Sequence, residues 1–107
     1  MPKRREAETP FRRRVIQYAK LRGWLVHHCR PGLYRSGRWA THIEGDAGFP
    51  DLVLSRLSRL VFAELKGSYD KPTASQALWL STLEISGKVE VYVWKPEDEE
   101  KVWQVLA

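Results

Sequence analysis

A single cysteine, Cys29, stands among the 107 residues, which excludes an internal disulfide and any cysteine-built zinc cluster. No run approaches the roughly eighteen apolar residues of a membrane span, and no signal-peptide hydrophobic region opens the chain. A cytoplasmic protein with no membrane partner is expected. Internal repeats and low-complexity tracts are missing, and 43% apolar content argues against wholesale disorder. The length allows one domain with one core, residues 1–107, of which 1–8 read as a basic tail.

Acid is scarce in the front of the chain. Residues 1–42 carry eleven Lys or Arg against Glu6 and Glu8, whereas residues 43–107 carry seven against eleven acids. A basic front joined to an acidic remainder suits a polyanion held over a metal site. Residues 3–5 alone read as a solvated tail. Arg12, Arg13 and Arg14 in a helix, with Arg30, Arg35 and Arg38 in a loop, are the candidate nucleic-acid contacts. His27, His28 and His42 lack zinc-site spacing with any cysteine pair, and adjacent His27 and His28 point to opposite strand faces.

What the chain does hold is the stretch from Gly48 to Gly67, GFPDLVLSRLSRLVFAELKG. It reads as two apolar strands joined by a tight basic turn. Asp51 opens the first strand, and Glu64 and Lys66, two apart, share one face of the second. A hairpin turning symmetrically about Leu57 and Ser58 sets Asp51 across from Glu64. Directly opposed Cβ atoms lie about 4.5–5.5 Å apart, where like charges repel. Two carboxylates so placed among apolar neighbours are costly unless a positive charge sits between them. A divalent cation fits. Asp51 alone could equally be a polar strand start; its register with Glu64 and Lys66 is what suggests a metal site.

Around this hairpin the pattern predicts a helix from about 9 to 22, with Phe11, Val15, Tyr18, Ala19 and Arg22 at helical spacing and Gly23 as its stop. Thr9-Pro10 reads as its N-cap and first position. Trp24–Cys29 reads as a strand, and residues 30–48 as a long loop rich in Gly and Arg. Thr73 opens a second helix ending near Ser86, Val89–Trp94 forms a strand, and the acidic run after Pro96 starts a last helix. The order αβββαβα predicts an α/β fold: a mixed four-stranded sheet flanked by helices.

Pro50-Asp51, thirteen residues before Glu64-Leu65-Lys66, resembles the PD-(D/E)xK nuclease motif. With GDAGFPDLVL, FAELKG, Thr73-x-x-Gln76-x-x-Trp79-Leu80 and Val91-Tyr92-Val93-Trp94, the chain resembles the VRR-NUC branch over nearly its whole length. These virus-type replication-repair nucleases include small phage and bacterial enzymes and the catalytic domain of the Fanconi-associated nuclease. The resemblance implies a restriction-endonuclease-like core with Mg²⁺ or Mn²⁺ on Asp51, Glu64 and the Leu65 carbonyl. It implies that Lys66 meets the attacking water or the scissile phosphate. It also places Glu8 in the first helical turn, holding a metal-bound water, with Glu6 as competitor.

Gln76 has two readings. It closes a capping box with Thr73, or it stands by the active site as the resemblance implies. Trp39, in the basic loop, is the tryptophan read as a base or sugar contact; Trp24, Trp79, Trp94 and Trp103 read as core. The resulting expectation is a Mg²⁺/Mn²⁺-dependent DNA endonuclease acting on branched, Holliday-junction-type DNA. A flap- or end-directed nuclease and a non-catalytic basic nucleic-acid-binding module are the alternatives. Two symmetric cuts in a junction need two sites, so a homodimer is expected, with Trp94, Val102, Trp103, Val105 and Leu106 as its apolar surface. A monomer packing those residues on its own sheet is the other possibility.

Overall fold

Phe11, Val15 and Ala19 recur every four residues along α1 (Glu8–Leu21), and each is fully buried. The computed structural model describes residues 6–28, 32–33, 39–40 and 44–107, with 32–33 and 39–40 as backbone only. Helix α1 begins one residue before the expected Thr9, so Ala7 takes the N-cap without a side-chain bond and Glu8 sits in the first turn. It ends as expected: Gly23 takes φ +84°, and the Trp24 amide turns back to the Ala19 carbonyl at 3.0 Å.

Strand β1 (Leu25–His28) follows. Within the stretch read as loop, β2 (Gly32–Leu33) and β3 (Trp39–Ala40) pair antiparallel as a separate two-stranded ladder. Strands β4 (Leu52–Arg56), β5 (Arg59–Leu65) and β6 (Glu90–Trp94) join β1 in a four-stranded sheet of order β1-β4-β5-β6. The first two pairings are antiparallel and β5–β6 is parallel, reached through α2 (Ala74–Ile85). That is the mixed sheet the pattern predicts. A 3₁₀ turn, Pro96–Asp98, leads into α3 (Glu99–Leu106).

Alternation along β5 sends Val61, Ala63 and Leu65 into the core beside Leu52 and Leu54, with Phe11, Val15 and Ala19 of α1 and Val102 and Leu106 of α3. The residues expected to form a dimer surface are therefore largely interior. Val102 and Leu106 are fully buried, Trp94 is buried, and Trp103 and Val105 pack against the same core. The Trp103 ring lies 4.5 Å from that of Tyr18 on α1. A count of apolar residues could not show which face they take, and here they close one chain's own core.

The basic hairpin turn also has work inside the fold. Arg56 pairs with Arg59 across the two-residue turn Leu57-Ser58, and both guanidinium groups lie over the buried Trp24 ring, at 4.5 and 4.9 Å. Arg56 donates to the Arg22, Leu106 and Ala107 carbonyls, and Arg59 donates to Val105. Two arginines thus satisfy carbonyls at the ends of α1 and α3, where cations also suit the helix dipoles.

Gly48 sets the approach of the 44–51 segment to α2. A Cβ there would stand 2.6 Å from the Ser75 carbonyl carbon and oxygen, and its φ is +97°. Gly48→Ala is expected to cost about 2–4 kcal/mol, from backbone strain and from pushing the segment off α2. A thermal melt should show a fall of about 10 °C or more.

Candidate active site

The pairing Leu52↔Ala63, carried one step further, sets Asp51 across from Glu64. A backbone amide of the facing strand holds each carboxylate. The Asp51 amide donates to Glu64 Oε1 at 3.1 Å, and the Leu65 amide donates to Asp51 Oδ2 at 2.8 Å. One oxygen of each carboxylate is thereby tied to the opposing strand. The other oxygen of Glu64 has no hydrogen-bond partner, although the residue is 0% exposed. An unsatisfied carboxylate oxygen in such a place costs on the order of 1–3 kcal/mol or more. Lys66 Nζ stands 3.8 Å from it, as their shared strand face requires.

Burial, and then the hydrogen bond and charge of Asp51, push the Glu64 carboxyl up to about 8; Lys66 opposes the shift. Burial likewise raises Glu8, against the nearby Arg12, and the charges of Asp51 and Lys66 are also felt there. Glu8 reaches the cluster because its backbone lies against Gly67, where a Cβ would come within 3.3 Å of the Glu8 amide. Ser68 and Glu6 bond reciprocally next to it, Ser68 N–H to Glu6 O at 3.1 Å and Glu6 N–H to Ser68 Oγ at 3.0 Å. Residues 6–8, expected in the basic tail, thus belong to the fold. Glu6 itself pairs with Arg14, leaving Glu8 as the first-helix carboxylate beside the pair.

The site residues are only partly gathered. Asp51, Glu64, Leu65, Lys66 and Glu8 come together. Gln76 forms the capping box, its Oε1 accepting from the Thr73 amide at 2.9 Å while its own amide donates to Thr73 Oγ1. The three helical arginines do not share a surface, because successive helix residues project about 100° apart. Arg12 pairs with Glu8, Arg14 with Glu6 and Glu99, and Arg13 is exposed. Arg30, Arg35, Arg38 and His42 lie outside the described residues, and Trp39 is described by its backbone alone.

The pairing of Arg12 with Glu8 follows an i, i+4 acid–base spacing that the sequence displays. Trp79 is not the core residue that the pattern suggests. Instead it is half-buried, its indole N–H donating to the Asp46 carbonyl at 3.2 Å and its ring 5.1 Å from that of Phe49.

Among the described residues, no group of three or more His, Cys, Asp and Glu side chains could hold a metal ion. Two carboxylates still fit Mg²⁺ or Mn²⁺, which keep several waters and use one or two protein carboxylates plus substrate phosphate. The orphaned Glu64 oxygen is the kind of atom such an ion would satisfy. No protein-family model, curated protein or solved structure matches this chain. No helix among the described residues is long and apolar enough to cross a membrane.

Proposed function

We propose that this chain is a Mg²⁺- or Mn²⁺-dependent DNA endonuclease of the VRR-NUC type, acting on branched DNA such as Holliday junctions. One observation carries the reading: the fully buried Glu64, with an unpartnered oxygen, is held against Asp51 and beside Lys66. A structural role alone leaves that oxygen without a hydrogen bond. Asp51 and Glu64 would hold the cation, with the Leu65 carbonyl as a further oxygen. The cation would supply Lewis-acid polarisation of the phosphodiester and activation of water. Lys66, a cation with 16% of its side chain exposed, would stabilise charge growing on the phosphate oxygens. Glu8 would accept a proton or hydrogen bond from the attacking water, kept in place by Arg12. The homodimer now rests on the need for two symmetric cuts, since the C-terminal apolar residues no longer argue for it.

Labelled junction, flap, duplex and single strand incubated with Mn²⁺ and with EDTA test the reading. Cleavage of branched substrates in Mn²⁺ alone is expected; no cleavage of any substrate would reduce the chain to a binding module. The arginines divide the binding energy further. Arg13→Ala should lower the slope of log affinity against log salt by about one, as one phosphate contact is lost. Arg14→Ala should act mainly on melting temperature, because Arg14 joins Glu6 to Glu99.

A further inference from the structure

Phe49 lies two residues before Asp51, within about 7 Å along the backbone, yet 44% of it is exposed. It is held rigidly. The Phe62 ring meets it edge-on at 5.8 Å, and Trp79 does so at 5.1 Å. Phe62 and Glu64 share a face of β5, so this ring cluster and the carboxylates occupy the same side of the sheet. The indole is fixed in turn by its bond to the Asp46 carbonyl. Beside it opens a largely apolar cavity of about 190 Å³, lined by Asp46, Ala47, Leu78, Trp79 and Thr82. Leu78 is 66% exposed at its rim.

An exposed aromatic ring next to the proposed metal site matches how single strands are gripped, with bases stacked on rings while phosphates meet cations. Resting on the nuclease reading for its phosphate partner, the geometry points to the Phe49–Trp79 cluster as a subsite for one unstacked nucleobase flanking the phosphate at Asp51 and Glu64. A base can reach it only by leaving the helical stack, so the site selects strands already frayed or unpaired, as at a branch point. On the nuclease reading the ligand is a nucleobase rather than an apolar peptide, because Lys66 beside Asp51 and Glu64 marks where the phosphate joined to that base would sit.

Fluorescence anisotropy in EDTA tests the subsite without catalysis. The probes are a labelled single strand and the same strand carrying abasic residues throughout. Phe49→Leu should weaken binding of the intact strand about tenfold and leave the abasic strand unchanged. Phe49→Trp should restore binding, and matching melting temperatures establish that both variants fold. Equal losses on the two strands, or no loss on either, would overturn the subsite. If a variant melts early, Trp79→Leu is put through the same two-strand comparison and judged by the same outcomes. Wild-type protein that shows this base dependence but cuts nothing in Mn²⁺ would remove the nuclease reading and leave the subsite standing.

Discussion

Glu64→Gln is expected to abolish Mn²⁺-dependent cleavage while making the metal-free protein more stable. The two effects have one origin. The wild-type carboxylate is buried, opposes Asp51, and leaves an oxygen unpaired. Gln keeps the shape, removes the charge, and places a donor beside Asp51. Activity should fall on the order of a thousandfold or more, as when a group stabilising transition-state charge is lost. The melting temperature of metal-free protein at pH 8 should rise by roughly 5–10 °C. Asp51→Ala should also be inactive, and so should Lys66→Ala, but the lysine variant should lack the gain because it removes a positive charge that faces Glu64. A Glu64→Gln protein that is inactive and less stable would make Glu64 structural.

The second large effect is on pH. Glu64 in the folded chain binds its proton up to about 8, against an ordinary value of 4.5. Between those values the native state holds a proton that the unfolded state has released, so stability falls as pH rises. The stabilisation is fully present below pH 4.5 and lost as pH passes through about 8. The limiting slope from this one group is about 1.4 kcal/mol per pH unit. Metal-free melting temperature should therefore drop from pH 5 to pH 8, and saturating Mn²⁺ should reverse the drop most strongly at the alkaline end. Binding to the native state alone adds about 2.7 kcal/mol at a hundredfold excess over Kd. Melts across that pH range, with Mn²⁺ and with EDTA, read both terms. Glu64→Gln should flatten the metal-free profile.

The hairpin was legible because short-range rules determine it. Apolar strands on either side of Leu57-Ser58 allow a two-residue turn, and that turn fixes the register that brings Asp51 to Glu64. Helix α2 was legible from Thr73 and Gln76, since a capping box is a local exchange of hydrogen bonds. The ladder of Gly32–Leu33 with Trp39–Ala40 was not, because two-residue strands in a glycine-rich loop show no periodicity.

Other side chains depend on a tertiary partner that the sequence does not display. Arg12 and Arg14 are basic in the sequence but spent in the fold, on Glu8 and on Glu6 with Glu99. Only the placement of residues 6–8 against Gly67 and Ser68, and of α3 beside α1, reveals it. The C-terminal apolar residues look like a surface until Trp24 donates its indole N–H to the Leu106 carbonyl at 2.9 Å and α3 closes the core. Glu64 differs from these cases. A carboxylate alternating with Ala63 and Leu65 breaks the local rule for a buried strand, and among the described residues no hydrogen bond reaches its second oxygen.

Calorimetric titration of Mn²⁺ into metal-free protein at pH 7 goes straight to the pair of carboxylates. Wild type should bind about one ion per chain and release protons as the raised Glu64 carboxyl ionises. Glu64→Gln and Asp51→Ala should show no such binding while remaining folded. Unaltered Mn²⁺ binding in both variants, or none in the wild type with a cleaving protein in hand, would contradict the assignment of the metal to Asp51 and Glu64.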